Sequence, residues 1–260
     1  MTGMVLMLVF AASGRPLIPL QDVGTFPEES MTVDTILNRL TNQFNKVEDY
    51  TARVDISVEM PYFRMPNKTV ELYFKQPDKV KVESDGFAVV PKTGLAMSPA
   101  RSFSNLFDLH VAGREKLHGD SCIIVEGMVN PDSLKFKMWG DEGEQGISVT
   151  SRLWVDEKRW VIVRIETFVD TTRMLSIVTD YEELNGGIQL PGLTEISFSI
   201  GGRFLGRLGD HDPMSGPFGD SGESYAPDVE SDFQGTVRLQ FSRYKVNQGL
   251  KDKIFEKTTF

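Results

Sequence analysis

The residue types that could do chemistry are few, and their spacing suits no common reaction. Three histidines, His110, His118 and His211, and one cysteine, Cys122, occur in 260 residues. His110, His118 and Cys122 bracket one hairpin and would supply three zinc ligands, but no fourth accompanies them, and His118-Gly119 has the composition of a turn. Asp210, Asp212, Asp220 and Glu223 carry the oxygens that calcium prefers, yet their spacing matches no EF-hand loop. The pair Glu182-Glu183 flanks a turn and reads as solvated. The chain has no Gly-x-Ser-x-Gly elbow, no Walker loop and no Gly-x-Gly-x-x-Gly after a strand. Catalytic residues, metal and cofactors are therefore not expected, and an enzyme finds no support. A single thiol permits no internal disulfide, so stability must come from a core.

The elements that would position any site are mostly strands. From Tyr50 to Met60 every second residue is apolar: Tyr50, Ala52, Val54, Ile56, Val58 and Met60 alternate with Thr51, Arg53, Asp55, Ser57 and Glu59. Strand side chains alternate sides, so this is a strand with one dry and one wet face. Val70, Leu72 and Phe74 repeat the pattern, and so do Val80 and Val82. Upstream, Thr32 is a helix cap, and Val33, Ile36, Leu37, Leu40, Phe44 and Val47 recur at helical spacing. That stripe is expected to lie on the dry face of the strand beginning at Tyr50. The loop Pro61 to Pro66 holds aromatic residues and Met65. After Asp85-Gly86 comes the apolar run Phe87 to Val90. Ser98-Pro99 opens a second short helix, with Phe103 and Phe107 on one side.

Beyond it the period is two almost everywhere. Arg114–His118 and Cys122–Val129 form a hairpin. Leu134, Phe136 and Met138 alternate before an acidic loop from Gly140 to Gly146. Three strands follow, Ser148 to Asp156, Trp160 to Phe168 and Arg173 to Tyr181. Ile196, Phe198 and Ile200 share a face of the next strand, and Val237, Leu239 and Phe241 a face of the last. Between them, 201–232 is rich in Gly, Pro, Asp and Glu and reads as a mobile acidic surface insert.

Apolar content of 40% and charged content of 25% are those of a globular domain, and the net charge is −9. An acidic chain gains nothing from counterion release on a phosphate backbone, so nucleic acid is not an expected partner. The apolar run Met4 to Ala12 has the length of a signal-peptide core, although no Lys or Arg precedes it, and export to the periplasm is expected. Residues 1–30 then read as signal peptide and extended leader, and 31–260 as one domain. No Cys follows the run, so no lipid anchor is expected.

Leu72-Tyr-Phe-Lys-Gln-Pro-Asp-Lys-Val-Lys81 with Ser84-Asp-Gly86, Leu153-Trp-Val-Asp156 leading to Trp160-Val-Ile-Val-Arg-Ile165, and Tyr181 leading to Leu190-Pro191 resemble the LolA-type outer-membrane lipoprotein carriers. The resemblance covers the chain from about Thr32 onward. It implies a mainly β (α+β) fold: a strongly curved, incompletely closed antiparallel half-barrel, with an amphipathic N-terminal helix and a short lid helix over its mouth. It further implies an apolar concave face that receives acyl chains of lipoproteins or lipids for transfer toward the outer membrane. The carriers place an arginine before the proline of the second-strand motif, where it holds the lid closed; here Gln76 precedes Pro77, so a charge latch is not expected.

On this reading Val54, Ile56, Val58, Leu72, Phe74, Val80, Val82, Phe103 and Phe107 line the cavity, and Ile36, Leu40 and Phe44 belong to the lid. Expected partners are lipid or lipoprotein acyl chains, a donor or acceptor protein in the envelope and, transiently, a membrane surface, with the protein a monomer. Two other readings compete: ordinary core for the same residues, and a half-barrel sensor or interaction module that binds a protein partner. A lipid hydrolase would need a nucleophile and base that the sequence does not present.

Overall fold

The computed structural model describes residues 31–61, 63–64, 66–84, 98–129, 148–200 and 233–256. The leader, the run Phe87 to Val90, the alternation around Phe136, the loop from Gly140 to Gly146 and the acidic insert lie outside the described residues, as do His211 and its acidic neighbours.

The elements are α1 (Val33–Phe44), β1 (Asp49–Met60), β2 (Phe63–Arg64), β3 (Lys68–Lys75), β4 (Lys79–Ser84), α2 (Pro99–Ser104), β5 (Leu106–Leu117), β6 (Asp120–Val129), β7 (Val149–Asp156), β8 (Ile162–Val169), β9 (Thr172–Leu184), β10 (Ile188–Ile200), β11 (Phe233–Val246) and a 3₁₀ turn (Asp252–Phe255). The described strands make one antiparallel sheet in the order β4-β3-β1-β11-β10-β9-β8-β7-β6-β5, with β2 paired to β1. Among the described residues the end strands β4 and β5 do not pair with each other, so the barrel is incompletely closed.

Register converts the period-two pattern into a surface. Val58, Val237, Ile196, Ile177, Ile165, Leu153, Val125 and Val111 pair in succession from β1 across to β5, and every member of the row is aliphatic. One residue away on each strand runs Glu59, Thr236, Ser197, Ser176, Glu166, Arg152, Glu126 and His110, and every member is polar. A slip of one residue that exchanged the two rows would put polar groups among the aliphatics, so register is strongly specified. Shifts at Thr51/Arg53, Trp154/Val155, Thr167/Phe168, Pro191/Leu193 and Val111/Gly113 mark bulges, which bend and twist their strands and so curl the sheet.

The dry face of the first strands is core. Val54, Ile56, Leu72 and Phe74 are all within 1% of complete burial, in a cluster with Ile177, Ile196, Val237, Leu239 and Phe241. The opposite face of β1 and β11 carries charge pairs such as Arg238 with Glu59 and Glu195, each at 2.8 Å.

Both helices start where their caps indicate. The Thr32 hydroxyl accepts the Thr35 N–H at 3.2 Å, and the Ser98 hydroxyl accepts the Arg101 N–H at 3.2 Å. Two expectations need correction. First, α1 covers more than β1: Phe44 packs on the cluster that holds Tyr50, Ala52, Val54 and Ile56, as expected, but the helix reaches further. It packs against α2, β10 and β5, and its Phe44 ring meets Phe74 on β3. Second, the second helix stops at Ser104, so Phe103 and Phe107 do not share a helix face. Phe103 is buried, whereas Phe107 stands 47% exposed on β5, paired with Met128. A one-and-a-half-turn helix gains little from propagation, while the following residues join a twelve-residue strand laddered to β6.

Candidate ligand site between the helices and the sheet

Beneath the end of α1 the inner face becomes aromatic. Tyr50 stacks on Phe74 at 5.0 Å between centroids, Phe44 meets Phe74 edge-on at 5.8 Å, and Tyr244 meets Tyr50 edge-on at 5.5 Å. Such pairs add about 0.5–1.5 kcal/mol each beyond their buried area. Over this floor lies a cavity of about 100 Å³. Its walls come from Leu40, Phe44 and Val47 beside α2's Pro99, from Trp160, and from Ile162, Ile165, Ile177 and Leu190 of β8 to β10. Polar side chains intrude at Gln43, Ser102, Thr179, Tyr181 and Gln189.

The tyrosines here are neutral. Burial pushes the Tyr181 phenol up to about 12, and it raises those of Tyr50 and Tyr244 as well. The Tyr181 hydroxyl donates to the Ile162 carbonyl at 3.2 Å, and that of Tyr244 to the Pro191 carbonyl at 2.6 Å. The space is thus mainly apolar, with the Tyr181 hydroxyl turned to backbone and the Thr179 hydroxyl paired with that of Thr194. Among the described residues no three His, Cys, Asp or Glu side chains converge to hold a metal. Cys122 is buried, and burial, with Asp156 and Asp120 nearby, raises its thiol above the ordinary value. It is therefore a poor nucleophile at neutral pH.

Polar contacts hold α1 over the cavity. The Gln76 side-chain amide donates to the carbonyls of Phe44 at 3.1 Å and Val47 at 2.6 Å, at the end of the helix where carbonyls lack helical partners. Gln43 donates to the Gly187 carbonyl at 2.8 Å, in a turn where Gly186 and Gly187 take φ of +83° and +69°. The Arg39 guanidinium lies 4.6 Å from the centre of the Trp160 ring. An uncharged amide thus occupies the position where the sequence resemblance has an arginine. Gln76→Ala should weaken α1 docking by about 1–2 kcal/mol, read as faster amide hydrogen exchange across residues 36–47 with the sheet unaffected. Unchanged exchange there would mean that Gln76 does not hold the helix.

The residues expected from sequence are scattered by the fold. Phe74, Leu40 and Phe44 line the cavity. Val54, Ile56, Leu72 and Ile36 are fully buried core, and Phe103 is buried on α2. Val82 packs half-buried against the core cluster, and Val80, on β4 at the end of the strand order, is 41% exposed. Phe107 is exposed and Val58 lines a different hollow. Sequence reasoning missed Tyr50, Trp160, Ile162, Ile165, Ile177 and Leu190. Their strands were legible, but alternation alone does not tell which strand a helix will cover.

That other hollow, of about 790 Å³, is an open trough at the ends of β1, β9, β10 and β11. Its lining comes in consecutive runs, 58–61, 173–175, 197–199 and 234–236, which place Val58, Met60, Leu175 and Phe198 beside Arg173, Ser197 and Thr236.

No family model matches the chain, and no curated protein does. Solved structures do. A putative outer membrane lipoprotein-sorting protein domain from Vibrio parahaemolyticus aligns with a TM-score of 0.50 at 10% identity, over 84% of this chain and 95% of that one. A DUF1329 family protein from Desulfovibrio piger aligns with a TM-score of 0.49 at 12% identity, over 86% and 97%. A LolA superfamily protein from Nitrosomonas europaea aligns with a TM-score of 0.48 at 11% identity, over 88% and 99%. At such identities the likeness is one of fold: the chain shares the fold of that putative lipoprotein-sorting protein domain.

Proposed function

We propose that this LolA-like half-barrel binds an acyl chain of a lipid or lipoprotein between its helices and its inner sheet face, and carries it through the cell envelope toward the outer membrane. The observation that supports this most is the apolar cavity under α1 and α2, walled by Leu40, Phe44, Trp160, Ile165 and Ile177. Space for a few methylenes is present at rest, so a whole chain enters only as α1 lifts. The magnitudes permit it. Covering a chain of ordinary length is favourable by on the order of 10 kcal/mol at about 0.8 kcal/mol per methylene. Against it stand the contacts of Gln76, Gln43 and Arg39, about 1 kcal/mol each, and the uncovering of Ile36 and Leu40, about 1.5–3 kcal/mol each, which the acyl chain offsets where it takes the helix's place.

The apolar run Met4 to Ala12 supports export. Among the described residues no helix is long and apolar enough to cross a membrane, in keeping with a carrier that meets the membrane surface only transiently. Mass spectrometry of an organic extract of the purified full chain tests the proposal. Acyl lipids at near-stoichiometric amount are expected, and a lipid-free protein that also fails to take up added fatty acid would refute it.

A further inference from the structure

Resting on the acyl-chain reading above, we propose that the open trough at the strand ends is the mouth through which the chain enters, and that Gly235, between Met60 and Phe198, sets its width. The trough, at about 790 Å³, falls within the ~300–1,000 Å³ range of small-molecule sites. Its apolar members stand next to Ser197, Thr236 and Arg173, which is the mixed surface that a chain with a polar head requires. Arg173 is held at this rim by Glu166, 2.9 Å away.

The trough and the helix-covered cavity share one apolar track. Val58 lines the trough, and pairing carries its row through Val237 and Ile196 to Ile177 and Ile165, both of which line the cavity. From β1 to β9 is three strand spacings, about 14–15 Å, a distance that an extended acyl chain can bridge. Val237 and Ile196 are buried, so the track is closed at rest and side chains above it must part. Met60, unbranched and with three rotatable bonds, is suited to swing aside.

Gly235 lies under the side chains of Met60 and Phe198 in the wall of the trough. A Cβ there would sit 2.5 Å from Met60 Cγ and 2.7 Å from Phe198 Cζ, so any side chain would drive both residues into the trough.

The test uses the full chain and a fluorescent fatty acid. Gly235→Val should slow uptake at least about ten-fold, and Met60→Ala should speed it. A fatty acid carrying a photoreactive group at its tail, captured early during uptake, should label the peptides containing Met60, Leu175 or Phe198. A folded Gly235→Val protein that takes up the fatty acid as fast as the wild type, or early labelling confined to the Phe44 and Trp160 peptides, would overturn the mouth while leaving the carrier reading intact. If Gly235→Val does not fold, the Met60→Ala uptake rate decides, and an unchanged rate overturns the proposal. A wild-type chain that takes up no fatty acid sinks both.

Discussion

Phe74→Ala should lower the unfolding free energy by about 3–5 kcal/mol, the range for emptying a buried aromatic site, and depress Tm by roughly 10 °C for a domain of this size. The ring is 1% exposed, stacks on Tyr50 and receives the edge of Phe44, so its loss removes transfer energy and two aromatic contacts together. Because Phe44 closes α1, the same change should loosen the helix and enlarge the cavity beneath it. Urea unfolding measures the first effect, and hydrogen exchange at residues 40–47 the second. A loss below about 1.5 kcal/mol would show that the neighbours collapse into the space and that the aromatic stack is not the floor it resembles.

Asp156 should be nearly as sensitive, for a different reason. Its carboxylate is fully buried and accepts the Lys158 and Arg159 backbone N–H groups at 2.8 Å each and Arg159 Nε at 2.7 Å. Its own carbonyl accepts the Trp160 N–H at 2.9 Å, and Trp160 has φ of +54°. This turn aims the indole at Arg39. Asp156→Ala strands two N–H groups and leaves Arg159 only its 3.4 Å contact with Asp120, and should cost about 2–4 kcal/mol while freeing the Trp160 wall of the cavity.

The same group predicts a pH dependence. Burial alone would raise the Asp156 pKa, but the bonds from Arg159 and Lys158 and the Arg159 charge outweigh it and hold the carboxyl below its usual value. A depressed folded-state pKa contributes stability above the unfolded value, about 3.9, and that stability is lost as pH falls toward the folded value. The stability gap between wild type and Asp156→Asn should therefore be full at pH 7 and shrink below about pH 4. A gap independent of pH would mean that the charge contributes nothing.

How far the site could be read from sequence differs residue by residue. The alternation in Tyr50 to Met60 correctly marked Val54 and Ile56 as inward. Their near-zero exposure follows from cover supplied by Ile177, Ile196 and Leu239, residues far along the chain. Ile56→Glu, an obvious probe from sequence, would therefore report on folding before it reported on a ligand. Val58, two residues on, is half-buried and reaches the trough. Phe107 read as helical because Phe103 lies four residues earlier, a local signal that the β5–β6 ladder overrode.

By itself the sequence determined that the strands are one-sided, that their turns fall where Gly and Asp cluster, that two capped helices accompany them, and that no common catalytic or metal motif is present. These are properties of single segments, since side-chain alternation and capping depend on residues within a few positions of each other. Only the tertiary structure decided which dry surface stays uncovered, that Gln76 meets a helix end 32 residues away, and that Val58 and Ile165 belong to one aliphatic track. Those outcomes depend on which distant strands become neighbours, and every one of these strands offers the same alternating pattern to any partner.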